Sequence, residues 1–488
     1  MKVQFLLKDS FMFERLGIMT LSSLLKRDGH EVRLLITGGL SEEQIIKKVK
    51  LYGPKIICYS IMTGEHNYYI GLNKMLKSYH DFFTVFGGPH PTFMPYMIEQ
   101  YGVDAICRGE GNIVLPELVN RIERGVGFYD INNFWFKNNG KIIKNPIGPL
   151  VANIDGLPFP DRKLMYDADP TYRIIGRKVF MSMRGCPFMC SYCFNHSYNT
   201  VTEGKGALLR YRSVSSIIAE IREVKENFYM DCIIMLDDIF LIKPTGWLEE
   251  FAERLPKEIG LPIFCNVRAD FMNDKVGQLL KKMGCKFVAM GVECGDEGVA
   301  KTVLKRYIAN DEIRDACKIL HKYKIKLMTQ NLIGLPVDNP LEVDLKSLDF
   351  NISLKPEYAW SSILYPYPET DIGKLAIRKG LIQANFDGTQ VSNKSQSCLK
   401  FKNPQLQRKV INLHKLFGIV VQFPVLRIVT NFLISLPLTY FYTWCYFTFY
   451  GYKVAWKNLS WRERKYYIRF YFKYVSGLEK PKIFSHAP

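Results

Sequence analysis

Twice along this chain, short apolar runs alternate with amphipathic stretches, and that pattern restricts the fold to α/β units in which helices cover a parallel sheet. The first series predicts strands at 2–7, 31–36, 55–61, 82–87 and 104–107, with helices around 14–28, from Ser41, and over 67–79, 94–101 and 112–124. Gly29 stops the first helix, and Ser41 with Gln44 forms a capping box for the second. Residues 1–130 therefore read as a doubly wound, flavodoxin-like domain. Asn132-Asn133, Asn138-Asn139-Gly140 and several prolines mark 131–174 as a linker or small β excursion. The second series predicts strands at 178–183, 231–236, 262–267, 286–291, 326–333 and 358–365, with helices such as 214–227, 274–283 and 311–323. Six such units make a partial (β/α)6 barrel of TIM type over 175–395, and in these folds reactive groups gather where strands end. A length of 488 residues fits this division into several cores.

Residues 396–488 read as a helical C-terminal region, basic and aromatic. The formal net charge is +19, and residues 401–488 alone hold 14 Lys and Arg against 2 Asp and Glu. Such a tail could face an anionic membrane, a nucleic acid or an acidic substrate, or be a set of solvated helices. No charge falls between Ile428 and Tyr452, which Arg427 and Lys453 flank. The stretch is long enough to span a bilayer, yet Asn431, Pro437 and six Tyr or Trp residues suit the headgroup layer. A buried helical cap, an interfacial contact and a true span all stay open here. Twelve cysteines without the spacing of a secreted disulfide scaffold imply a reducing, cytoplasmic setting, and Lys2–Leu7 is too short for a signal-peptide core.

The chemistry concentrates in Met183-Arg184-Gly185-Cys186-Pro187-Phe188-Met189-Cys190-Ser191-Tyr192-Cys193, directly after a predicted strand. Three thiolates spaced CxxxCxxC on one loop can bind three irons of a cubane, whereas a zinc or ferredoxin site wants a fourth nearby ligand. The next cysteine is Cys232. One iron is then left open for a bound cofactor. With aromatic Tyr192 before the last cysteine, the triplet resembles the radical S-adenosylmethionine (SAM) signature. The resemblance implies that Cys186, Cys190 and Cys193 hold a [4Fe-4S] cluster whose open iron chelates SAM and cleaves it to a 5′-deoxyadenosyl radical. It implies further contacts at later strand exits: Asp237 or Asp238 to the SAM amino group, Arg268 after the third strand, and Glu293 to a ribose or amino group. The Asp pair reads equally well as a helix cap. Gly291-Val292-Glu293-Cys294-Gly295 matches a family Gly-x-Glu-Ser-Gly element except that Cys294 replaces Ser. Asn331-Leu332-Ile333-Gly334-Leu335-Pro336 is similar to the Gly-Leu-Pro turn beside adenine, but Val337-Asp338-Asn339 departs from it, so only the backbone roles of Gly334 and Leu335 carry over.

In the first domain, Tyr59–Gly64 and Phe86-Gly87-Gly88-Pro89-His90-Pro91-Thr92 put glycines and hydroxyls at the sheet's C-terminal edge, where phosphates and amides bind well. With Arg108-Gly109-Glu110-Gly111, this resembles the cobalamin-binding domain of the B12-dependent radical SAM family. By that resemblance Ser60, Thr63, Gly87, Gly88, His90 and Thr92 line the nucleotide tail of the corrin. The loop that supplies an axial histidine elsewhere corresponds to Asp9–Arg15, which has none. Cobalt would then be base-off, or the cofactor lost.

The resemblance implies a cobalamin-dependent methyltransferase acting on an unactivated carbon or a phosphinate. Cyclisation or rearrangement, RNA modification, and a non-catalytic iron-sulfur or cobalamin sensor are the other readings. The expected partners are a small-molecule or lipid substrate, an external electron donor such as flavodoxin or ferredoxin, and a peripheral membrane contact. No RNA-binding module is visible in 401–488, which argues against nucleic acid.

Overall fold

Both alternating series fold as parallel sheets. The computed structural model describes residues 1–9, 14–388, 397–401, 403–455 and 463–464, in two units: Met1–Ile174 with Tyr198–Arg212, and Ile175–Ser197 with the described residues from Ser213 to 464.

In the first unit β1 (Lys2–Leu7), β2 (Glu31–Ile36), β3 (Ile56–Ser60), β4 (Phe83–Gly87) and β5 (Ala105–Cys107) are parallel in the order β2-β1-β3-β4-β5. β1 is central, Val3 pairing with Val32 on one side and Ile56 on the other. Its residues 3–7 are all buried, as a strand covered on both faces requires. The strand order reverses at β1, which opens a crevice at the C-terminal ends of β1 and β3. Ser41 and Gln44 form the expected capping box.

Of the two forms expected for 131–174, linker or small β excursion, the second is found: β6 (Phe134–Asn138) pairs antiparallel with β5, and β7 (Lys141–Lys144) antiparallel with β6, extending the sheet. Asn139 at φ 47° and Gly140 at φ 76° are the two-residue turn of a hairpin, and Phe134 and Phe136 are its buried face. The barrel's first connection departs from the expected boundary, because Tyr198–Arg212 belongs to the first unit. Arg210 pairs there with Glu110 at 2.9 and 3.0 Å and donates to the Val151 carbonyl.

In the second unit β8 (Arg177–Phe180), β9 (Cys232–Met235), β10 (Ile263–Val267), β11 (Cys285–Glu293), β12 (Lys326–Ile333) and β13 (Tyr358–Ile363) form one parallel sheet in chain order, without pairing between the first and last strands. Helix Pro404–Gln422 packs on the edge strand β13. Gly418 permits that approach, since a Cβ there would lie 2.8 Å from the Ala359 carbonyl oxygen.

Within this helix Lys415 is 1% exposed and its amine has no hydrogen-bond partner among the described residues; the ring of Tyr446 lies 5.4 Å away. Burial holds its pKa down to about 8. The unfolded chain takes up this proton more readily than the folded one, so the penalty is complete below pH 8 and vanishes above the ordinary lysine pKa. Lys415→Met is therefore expected to stabilise the protein by about 2–3 kcal/mol at neutral pH and by almost nothing near pH 11. Urea unfolding at the two pH values checks this, and a loss of stability at neutral pH would refute it.

The uncharged 428–452 stretch is broken. A turn at Pro424–Arg427 and helices Thr430–Ser435 and Thr439–Tyr450 replace a single rod. Among the described residues no helix is long and apolar enough to cross a membrane. The reading as a transmembrane span is thereby corrected.

Candidate active site

The cysteine loop leaves β8 over a bridge fixed by Asp237. This fully buried carboxylate accepts from Ser182 N at 2.7 Å, Ser182 Oγ at 2.5 Å and Met183 N at 3.0 Å, and pairs with Lys243 at 2.7 Å. Lys243 is itself buried, donates to the Phe240 carbonyl and lies over the rings of Phe240 and Trp247. Asp237 was a candidate contact for the SAM amino group. Its lone pairs are already spent, so it positions the loop instead.

Further along, Ser191 anchors the loop with all its polar groups. Its N–H donates to the Leu304 carbonyl at 3.0 Å, its hydroxyl to the Val303 carbonyl at 2.6 Å, and its own carbonyl accepts from Ile372 N at 3.0 Å. A turn closed by Cys193 N donating to the Cys190 carbonyl sets the last two cysteines. Cys186 and Cys190 are buried and Cys193 is partly so. Burial pushes the Cys186 thiol up and the Cys193 thiol up to about 12, while the N–H groups of Phe188 and Asn195 partly offset this by donating to the two sulfurs. Those donors stabilise thiolates, and loading metal must release the protons. Among the described residues no three His, Cys, Asp or Glu side chains are gathered around one ion position. A cubane seats its three cysteines on separate irons, and the donor set fits that demand.

At the exit of β11, Glu293 has φ +64°, and the register with β12 shifts between Gly291 and Glu293. A left-handed backbone at a non-glycine residue costs about 1–3 kcal/mol and marks a place where geometry outweighs stability. Burial raises the pKa of the Glu293 carboxyl, which Arg306 and Arg268 face and to which the Tyr192 hydroxyl donates. Arg306 is 6% exposed and donates to the Gly291 carbonyl. Burial alone would lower its pKa, but Tyr192, Glu293 and Cys190 together raise it. Nothing in the sequence singled out Arg306; it is one of many cations and belongs to no motif.

Two more expected residues join this group. Arg268 is clamped by Asp270 at 3.0 and 2.8 Å, and its guanidinium stacks 3.4 Å over the ring of Phe188, between the first two cysteines. Asp238 is exposed but closely surrounded; burial raises its carboxyl pKa, against a hydrogen bond with Asn195, and its charge is felt at Cys186 and Cys193. Asp238 is thus the member of the acidic pair left free to meet a ligand. Gly334 takes φ +74°, and its N–H donates to both oxygens of buried Asp344 at 3.1 Å. Leu335 is fully buried in an apolar cluster with Tyr192 at its margin, so it is a core residue.

In the first unit, Gly88 has φ +95° and a Cβ there would lie 2.8 Å from Ile61 N and 3.3 Å from Ser60 Oγ. Only glycine lets the loop after β4 pack this closely on the backbone after β3, where Ile61 N already donates to the Gly87 carbonyl at 2.8 Å, and Ser60 and Thr63 stand beside it at the strand exits. His90 and Thr92 differ from expectation. His90 is fully buried, with Nδ1 3.2 Å from Thr63 Oγ1 and its ring stacked 4.0 Å from that of His66. Thr92, also buried, donates to the Gly88 carbonyl at 2.8 Å and accepts from Gly109 N at 3.1 Å. Both brace the loops from behind and do not line an open surface. In the Asp9–Arg15 stretch, residues 10–13 lie outside the described residues, and Glu14 is buried in bonds to Arg162 and Tyr166.

The model of the radical SAM superfamily matches residues 180–346, and that of the B12 binding domain matches 7–119. An uncharacterized methyltransferase of Pyrococcus horikoshii is 30% identical over 380 residues, covering 75% of this chain and 79% of the relative. The chain belongs to the B12-binding-domain-containing radical SAM enzymes. As such an enzyme it works with a [4Fe-4S] cluster, SAM and cobalamin. The anaerobic magnesium-protoporphyrin IX monomethyl ester cyclase of Rubrivivax gelatinosus is 25% identical over 369 residues, covering 72% of this chain and 64% of the cyclase. The cobalamin-dependent S-adenosylmethionine radical enzyme OxsB, solved with aqua-cobalamin and SAM bound, aligns with a TM-score of 0.68 at 18% identity, covering 97% of this chain and 75% of that one. That likeness establishes a shared fold.

Proposed function

We propose that this radical SAM enzyme transfers a methyl group to an unactivated carbon of a small apolar or lipid substrate, drawing electrons from a flavodoxin or ferredoxin. The reading is carried by the meeting of the three-cysteine loop with Tyr192, Glu293, Arg268 and Arg306 at the barrel's strand exits, in a chain that also has a B12 binding domain. When bound, the cluster with SAM supplies hydrogen abstraction and the corrin supplies a methyl carrier. Cys186, Cys190 and Cys193 would hold the cluster. Asp238 and Glu293 would accept from the amino and ribose groups of SAM, and the turn at Gly334 offers backbone to its adenine. Tyr192 and Arg306 keep the Glu293 carboxylate oriented, so little reorganisation is needed when the cofactor arrives.

The full chain, reconstituted anaerobically with iron, sulfide and cobalamin and supplied with reduced flavodoxin, is tested with SAM carrying a trideuterated methyl group and with lipid and metabolite extracts. S-adenosylhomocysteine and 5′-deoxyadenosine should both accumulate, and an acceptor should gain the labelled methyl in place of hydrogen. Similarity to the cyclase favours a second reading, ring closure or rearrangement. 5′-Deoxyadenosine without S-adenosylhomocysteine or a labelled acceptor would decide for it.

A further inference from the structure

The segment after residue 423 has one covered face and one bare face. Ile434 and Tyr442 are buried with helix Pro404–Gln422, whereas Val425, Ile428, Phe432, Tyr440 and Trp444 are 71%, 84%, 65%, 94% and 54% exposed. Single exposed apolar residues need no explanation, but a run of large ones on consecutive elements marks an interaction site. In helix Thr439–Tyr450 only Tyr442 is buried. Charge on this segment is one-sided: from 403 to 455 there is no Asp or Glu, and with Lys415 buried the cations near the surface are Arg408, Lys409, Arg427 and Lys453. Asp349 holds Arg427 at 2.6 and 3.0 Å, and Gln422 accepts from Lys453 at 2.8 Å.

We infer that this face docks on an anionic lipid bilayer, lying in the headgroup layer without crossing it. Trp and Tyr place an apolar body in the acyl boundary and a polar tip in water, which suits that layer. The short, broken helices suit lying on a bilayer. A second copy using the same face across a two-fold axis would bring cation against cation. The chain beyond residue 464 has Lys465, Arg469, Lys473, Lys480 and Lys482 against Glu479, so it is no better a complement. With Arg427 held by Asp349, the charge left to meet anionic headgroups beside the apolar face is that of Arg408, Lys409 and Lys453. The inference concerns where the enzyme sits, and it stands or falls separately from methyl transfer.

Flotation of the full-length holoenzyme with phosphatidylcholine vesicles, with and without phosphatidylglycerol, tests it. The enzyme should rise with the anionic vesicles and be released by salt. The variant carrying Ile428→Glu, Phe432→Glu and Trp444→Glu should float at least about tenfold less while still forming 5′-deoxyadenosine. Should the triple variant fail to fold, Tyr440→Glu alone, at the most exposed position, takes its place. Equal flotation of wild type and variant would overturn the inference. So would a dimer in sedimentation that the variant abolishes without any flotation, or flotation gained only by a chain ending at residue 464.

Discussion

Replacing Lys243 with methionine should cost the apo chain about 3–5 kcal/mol, because it leaves the Asp237 carboxylate buried without its counter-charge. Asp237 and Lys243 are both fully enclosed, and Asp237 ties Ser182 and Met183 to the end of β9. The damage should therefore reach the cysteine loop, and iron retained after anaerobic reconstitution should fall with stability. Asp237→Asn combined with Lys243→Met removes both charges and should recover much of the loss, since an amide can still accept from Ser182. Urea unfolding of the three apo variants measures the energies. A single-variant cost below about 1 kcal/mol would show that water reaches the pair and that it is not truly desolvated.

The second large effect falls on turnover with the cluster left intact. Glu293→Gln should lower 5′-deoxyadenosine formation by about 10- to 100-fold, the worth of one charge-assisted hydrogen bond, with unchanged iron content. Gly291→Ala should do nearly the same from a neighbouring position. A Cβ there would lie 2.4 Å from Glu293 Oε1 and 3.2 Å from Arg306 Nη2. The group in the way is the end of a flexible side chain, so the carboxylate moves at little cost to the fold but leaves its place between Tyr192 and Arg306. Activity retained in both variants would remove Glu293 from the site.

What could be read along the chain was local. The parallel strands follow from apolar runs bounded by turns, the Ser41 box from two residues three apart, and the candidate cluster ligands from a spacing within eight residues. The β6–β7 hairpin stayed one of two readings because Asn139-Gly140 signals a turn equally well in a linker. Only the alternating burial of Phe134 and Phe136 tells them apart. Arg306 and the saturation of Asp237 depend on pairings between distant segments, which leave no periodic trace. His90 and Thr92 were expected to line the corrin's nucleotide tail but turn into the protein, because a motif fixes position and not which way a side chain turns.

The anchoring of Ser191 bears on how such an enzyme survives air. Its three bonds reach Val303, Leu304 and Ile372, none of which involves iron. The scaffold that presents the thiols is thus independent of the metal they hold. A chain that has lost its cluster is therefore expected to keep this loop folded, ready to be refilled in place.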